Sequence, residues 1–159
     1  MTGTAPARSL AQLAGSIGQE IGLSRWFEIP QSLIDAYADI CQDRQYIHTD
    51  PARAKTTPFG GTIAHGFLTM GLLSAMAYEA VPLGDDVRMS VNYGFDRVRF
   101  LAPVPSGARV RGRFVLADMV ERQLAEYTLT WDVTVEIEGQ DKPALIATWI
   151  TRRYGGDAA

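Results

Sequence analysis

Cysteine and histidine are scarce in this chain: one Cys, Cys41, and two His, His48 and His65, among 159 residues. A lone thiol cannot close an internal disulfide, and neither a His-x3-His nor a Cys-x2-Cys pair occurs, so the convergent spacing of a zinc site is missing and no metal is expected. Cys41 has no base or electropositive neighbour in sequence that would make it a nucleophile, and its expected place is the core. An excess of cations is missing too. Fifteen Lys and Arg against 18 Asp and Glu leave a net charge of −3, which offers no general attraction to nucleic acid or to an anionic membrane. There is no long apolar run: the stretch poorest in charge, Pro58 to Tyr78, is interrupted by His65, several Gly and Thr, so no membrane span is expected. The start, Met1-Thr2-Gly3-Thr4-Ala5-Pro6-Ala7-Arg8, has neither the basic opening nor the apolar block of a secretory signal. With the single cysteine, that leads to the expectation of a cytoplasmic location.

What is present is a balance of 47% hydrophobic and 21% charged residues, that of a globular chain with a real core and the size of one ordinary domain. No internal repeat, linker or low-complexity stretch is visible. Ser9 to Gly15 reads as a short helix, and Arg25 to Ile29 as a strand ended by Pro30, which lacks a ladder donor. Leu33, Ile34, Tyr37, Ala38 and Cys41 recur at helical spacing, which predicts an amphipathic helix from Gln31 to about Cys41. Asp50-Pro51 reads as N-cap and first helical residue of a turn through Ala54. After Thr57-Pro58-Phe59-Gly60-Gly61 the run from about Ile63 to Val81 is apolar on several faces, as a helix inside a fold would be. Gly60-Gly61 lacks the Lys-Ser/Thr step of a phosphate loop.

Past Gly84-Asp85-Asp86 the periodicity changes to two. Tyr127, Leu129, Trp131, Val133, Val135 and Ile137 alternate with polar residues, a strand pattern. Arg109 to Val120 and Leu145 to Arg153 are further strands, with Ala117 to Arg122 and Gly139 to Pro143 expected as connections. Arg109, Arg111 and Arg113 alternate as a solvated strand face would. A buried helix followed by a long antiparallel sheet is an α+β arrangement in which the sheet wraps the helix.

The chemistry-bearing residues are Asp43 and His48, five positions apart and at the end of the first long helix. A carboxylate and a neutral imidazole that share a water can take a proton from it and deliver another, which is what adding water across a double bond requires. The other histidine, His65, falls at the start of the buried helix and is expected to pack against the pocket or bond a carbonyl.

These residues sit in a longer pattern: Trp26, Tyr37-Ala38, Asp43 with Ile47-His48-Thr49-Asp50-Pro51, Ala54, Phe59 through Leu68, Asn92 through Phe100, Pro103-Val104 and Gly107. Together they resemble the MaoC-like dehydratases, the (R)-specific enoyl-CoA hydratases of the hot-dog fold, and within them the branch related to nodulation protein N. The common family pattern has Gly before the Asp and Asn-Pro before the aliphatic-His step. Gln42, Gln45 and Tyr46 stand there instead, and Gln45 with an aromatic at 46 is similar to the nodulation-protein-N branch.

The resemblance implies one hot-dog domain over 1–159, with 1–24 as a helical lead-in. It implies that Asp43 and His48 hold and activate a water that adds to Cβ of a trans-2-enoyl thioester. The backbone N–H of Gly66 would polarise the thioester carbonyl, with no Cβ in the way of substrate. Ile63, Ala64 and His65 would line the pocket, Ser74 would stand near the catalytic pair, and Asn92, Tyr93, Gly94 and Arg97 would line the acyl tunnel. Arg97 is the first choice for a phosphate of coenzyme A, since guanidinium grips phosphate bidentately. No cofactor is implied, coenzyme A being part of the substrate, and a homodimer joined edge to edge is expected. Two rivals stand beside this reading: a hot-dog thioesterase, against which the joint presence of Asp43 and His48 argues, and a non-catalytic acyl-binding protein, which intact catalytic residues disfavour.

Overall fold

The computed structural model describes residues 6–156. The first half of the chain holds α1 (Leu10–Ala14), β1 (Glu20–Leu23), β2 (Phe27–Glu28), α2 (Gln31–Cys41), α3 (Tyr46–Thr49) and α4 (Pro51–Ala54). The central helix follows in two consecutive pieces, α5 (Gly66–Gly71) and α6 (Leu73–Ala80). Four long strands complete the chain: β3 (Val87–Phe100), β4 (Arg109–Gln123), β5 (Glu126–Ile137) and β6 (Leu145–Gly155). They form one antiparallel sheet in the order β1-β4-β5-β6-β3, with β2 pairing a further stretch of β4.

The sheet curls round the central helix, the α+β hot-dog architecture. Its inner face carries every second residue of β4, β5 and β6, so Val110, Phe114, Leu116, Leu129, Val133, Val135, Ile137 and Leu145 are buried against Leu73 and Met76 of α6. Gly112 lets the helix come close: a Cβ there would stand 3.1 Å from Met76 and 2.7 Å from the Phe114 ring. On the opposite face Arg111 and Arg113 share Glu136, while Arg109 pairs with Glu138 and Arg113 also with Glu20. The alternating arginines are thus a solvated, ion-paired surface of the sheet.

Local chemistry explains the helix ends. Ser9 Oγ accepts from the Gln12 N–H and the Gln12 side chain accepts from the Ser9 N–H, a reciprocal cap that starts α1. Asp50 accepts from the Arg53 N–H at 3.0 Å with Pro51 in the first turn of α4, as the sequence predicts. α2 stops at Gln42, whose φ of 62° is left-handed.

Several expectations need correction. Cys41 is exposed, because it lies on the outer side of the last turn of α2. Residues 117–122 are not a connection: β4 runs through them to Gln123, and the turn is at Leu124-Ala125, where Ala125 has φ 60°. The lead-in is helical only over α1 and then adds strand β1; residues 1–5 lie outside the described part. The strand expected over Arg25 to Ile29 shrinks to β2, and the central helix begins at Gly66 rather than Ile63.

Candidate active site

Three short-range devices bring Asp43 and His48 to the start of the central helix. The left-handed turn at Gln42 lifts the chain off α2 and presents Asp43, whose Oδ1 accepts from the Gln45 N–H at 3.3 Å and so stabilises the local turn. His48 then falls on α3, facing inward at 7% exposure. Ile63 holds it by both ends of its peptide unit: the Ile63 N–H donates to the Ile47 carbonyl at 3.0 Å, and His48 Nδ1–H donates to the Ile63 carbonyl at 2.7 Å. Gln31, the first residue of α2, ties down the far side by donating to the His48 carbonyl at 2.7 Å.

His65 stacks on His48, with ring centroids 3.7 Å apart and planes 25° from parallel, and its Nε2–H donates to the Asp43 backbone carbonyl at 2.8 Å. A carbonyl oxygen only accepts, so each contact fixes a tautomer: the proton is on Nδ1 of His48 and on Nε2 of His65. His48 Nε2 is therefore left with a lone pair. Burial pushes the His48 imidazole below its ordinary 6.5; the Ile63 hydrogen bond raises it, the neighbouring His65 lowers it and the Asp43 charge raises it. The net direction is downward, which keeps the ring neutral and able to accept a proton near neutral pH.

A carboxylate oxygen of Asp43 and one nitrogen each from His48 and His65 lie within 4.8 Å of one another. These are potential metal donors by type. However, nearly parallel stacked rings direct their in-plane lone pairs side by side rather than at a common point, and a tetrahedral ion needs convergence at about 2.0–2.1 Å from each nitrogen. One water held between carboxylate and imidazole fits the arrangement better.

The pair opens on a cleft of about 380 Å³ lined by Ile63, Ala64, His65, Gly66, Thr69 and Phe100, among others. Its back wall is the first turn of α5, whose N–H groups have no intrahelical acceptor and carry the positive end of the helix dipole. The His65 side chain does not cap that turn, being turned toward Asp43. A Cβ at Gly66 would stand 2.9 Å from the ring of the half-exposed Phe100, which would have to shift to admit it. Phe100 thus borders the space that the missing Cβ leaves beside Gly66.

The structure brings Asp43, His48, Ile63, Ala64, His65 and Gly66 together in one cleft and sets the remaining expected residues elsewhere. Ser74 and Asn92, joined by a 3.3 Å hydrogen bond, line a different cavity further along the central helix. Tyr93 is 60% exposed, with the Arg152 guanidinium 4.0 Å from its ring centroid. Gly94 sits at a bulge in β3. Arg97 lines a hollow with Asp132 and Thr148 and does not border the cleft, which has no Lys or Arg in its lining among the described residues. The cleft residues Phe67, Thr69, Ala144 and the run from Phe100 to Val104 were not among the expected site residues. A single Thr in an apolar helix carries no distinguishing pattern, but Phe100 closes a quoted block and could have been read as its pocket end.

A sheet curled round a central helix, with a carboxylate and a neutral imidazole meeting at the helix start, defines a hot-dog protein equipped for proton transfer. The chain belongs to the MaoC-like dehydratase family: the family model described as MaoC like domain matches residues 12–137. It is 52% identical over 144 residues to Nodulation protein N of Rhizobium leguminosarum bv. viciae, covering 90% of this chain and 89% of that protein. It is 42% identical over 144 residues to 3-hydroxyacyl-thioester dehydratase Z of Mycobacterium tuberculosis, covering 91% and 95%. In fold it is similar to the MaoC-like dehydratase from Rhodospirillum rubrum, with a TM-score of 0.76 at 18% identity over 94% of this chain and 99% of that one. The chain is thereby related to hydro-lyases, in a family that acts on acyl thioesters.

Proposed function

We infer that this protein is an (R)-specific enoyl-thioester hydratase, reversible as a 3-hydroxyacyl-thioester dehydratase, with coenzyme A as the carrier. The observation that carries the reading is the proximity, within 4.8 Å, of an Asp43 carboxylate oxygen to an imidazole nitrogen of the buried His48, whose Nδ1 is committed to the Ile63 carbonyl and whose pKa burial lowers, both residues lining one cleft. In this reading the two side chains hold one water. Its oxygen bonds to Cβ of the trans-2-enoyl group while the pair takes up its proton, the alkene electrons move toward the thioester oxygen, and the proton is returned to Cα. The products gain H and OH from one water and nothing else. The developing enolate oxygen lies by the Gly66 N–H, where an unpaired donor at a helix start is worth most in a site shielded from water.

No cofactor is needed for this step. The homodimer expected from the family resemblance is supported by β3, which among the described residues ends the sheet with one long edge unpaired and exposes Met89, Val91 and Tyr93, a surface that folded chains ordinarily cover. A single MaoC-like domain working in a reducing cytoplasm completes the reading; the lone, exposed Cys41 suits that compartment, and among the described residues no helix is long and apolar enough to cross a membrane.

The class is tested by incubating the protein with trans-2-enoyl-CoA esters of short and medium length while following the conjugated-enoyl absorbance and free thiol together. Loss of the enoyl band without thiol release is the expected result. Thiol release would make the protein a thioesterase, and silence in both channels would make it a binder.

A further inference from the structure

His48 sits on α3, a single helical turn of four residues. A helix that short does not hold itself, since nucleation costs more than one turn returns, and the His48 carbonyl, at its C-terminal end, has no intrahelical donor. The place of the imidazole is therefore set by what grips α3 from outside.

Two residues with no part in the chemical step supply that grip. Gln31 opens α2, and both ends of its side-chain amide are committed. Nε2 donates to the His48 carbonyl at 2.7 Å and to the Asp35 carboxylate at 2.8 Å, while Oε1 accepts from the Thr62 hydroxyl. A carbonyl and a carboxylate only accept, so the NH2 end of the amide faces them, its oxygen faces Thr62, and the Thr62 hydroxyl has to donate. Thr62 is 6% exposed, and its own carbonyl accepts from the Ser106 N–H at 2.9 Å, which ties it to the segment after β3. It directly precedes Ile63, whose carbonyl accepts from His48 Nδ1–H at 2.7 Å.

These bonds close on themselves. The path runs from the His48 carbonyl to the Gln31 amide, on to the Thr62 hydroxyl, along the Thr62–Ile63 peptide to the Ile63 carbonyl, and back to the His48 ring. Main chain and ring of one residue are thus both referred to the same dipeptide, and a shift of α3 against the loop before α5 strains both ends of the circuit. We propose that Gln31 and Thr62 are positioning residues for His48, holding its ring toward the cleft in the Nδ1–H tautomer. Neither is among the residues that line the cleft, so their effect on chemistry passes through His48 and its Ile63 anchor. The rate effect rests on the hydration reading; the hold on the ring does not.

The chain has two histidines, so long-range proton–nitrogen correlation spectra of the full chain, labelled at histidine and recorded at neutral pH, resolve both rings. Wild type is expected to show His48 as the Nδ1–H tautomer alone. Thr62→Val keeps the side-chain shape, removes the hydroxyl and is expected to give a mixture of tautomers. With an enoyl-CoA ester the same variant lowers kcat about 10-fold with KM little changed, within the roughly 100-fold that a misplacement of order 1 Å can cost. Thr62→Ser returns both readouts to wild type. Gln31→Leu gives the same pair of changes, and the double variant is no worse than either single one, as members of one chain of bonds require. Should Thr62→Val not fold, Gln31→Leu decides alone. Folded variants that keep the single tautomer overturn the proposal, as do an unchanged kcat, a loss that Thr62→Ser fails to restore, or losses that add in the double variant. A wild type without hydratase activity removes the hydration reading only, and the His48 tautomer in the variants then decides.

Discussion

The rings of His48 and His65 lie face to face 3.7 Å apart, and each commits one nitrogen to a backbone carbonyl, His48 to Ile63 and His65 to Asp43. The stack links the carboxylate turn to the imidazole helix and so ties Asp43 to His48 across the loop and single helical turn between them. In the proposed mechanism His65 is a positioning residue: its ring stacks on His48 and its Nε2–H holds the Asp43 backbone carbonyl.

His65→Phe separates these roles, since it keeps the stacked ring and removes the donor to Asp43. A misplacement of order 1 Å can cost about 100-fold in rate, and we expect kcat to fall between about 10-fold and 100-fold with KM little changed. Steady-state kinetics on an enoyl-CoA ester checks this; an unchanged kcat would mean that the Asp43 turn holds itself.

The acid side of the pH–rate profile reports His48. Its pKa is lowered from 6.5, mainly through burial, and the working form is neutral, so kcat/KM falls on acidification with its half-maximal point at a pH lower than for an ordinary histidine. The same depressed value has a consequence for folding. The unfolded chain binds the proton more readily, so stability from this group is full above about 6.5 and is lost as pH falls through the folded-state value. Urea denaturation of wild type and His48→Gln between pH 5 and 8 measures it, the wild type losing more on acidification.

Gln42 holds φ 62°, a conformation that costs a residue with a Cβ roughly 1 kcal/mol. This is the position where the common family pattern has Gly. Gln42→Gly is expected to stabilise the fold by about 0.5–1 kcal/mol, reduced by the added freedom of the unfolded chain. A lower urea midpoint in the variant would show that the Gln42 side chain, which donates to the Asp39 carbonyl, outweighs the backbone strain.

How much of this was legible in sequence depended on whether one periodicity held along an element. α2 could be placed at Gln31–Cys41 because one face of it packs inward, with Ile34 and Ala38 buried, and β5 because every second residue from Leu129 to Ile137 enters the core. β3 could not be delimited. Bulges after Asn92 and Phe95 shift its phase, so Ser90 and Asn92 face the helix with Phe95 and Phe100, while the apolar Met89, Val91 and Tyr93 face out. Asn92 and Tyr93, consecutive in the strand, belong to different surfaces by the ordinary alternation of the pleat. Asp43 and His48 were legible through spacing and context. The role of His65 was not, because stacking across 17 residues of sequence leaves no local signal.

The free edge of β3 predicts a concentration-dependent dimer. Val91→Lys puts a charge on the exposed apolar row, and light scattering after size exclusion is expected to show wild type at twice the chain mass and the variant as monomer. A monomeric wild type at micromolar concentration would remove the dimer from this account.

The most direct measurement is the initial rate of enoyl-band loss with crotonyl-CoA for wild type, Asp43→Asn and His48→Gln side by side, with circular dichroism confirming equal folding. General acid–base residues contribute about 10²- to 10⁴-fold. The account predicts measurable hydration by wild type and a loss of at least that order in each variant. A folded Asp43→Asn or His48→Gln that turns over at the wild-type rate would contradict it.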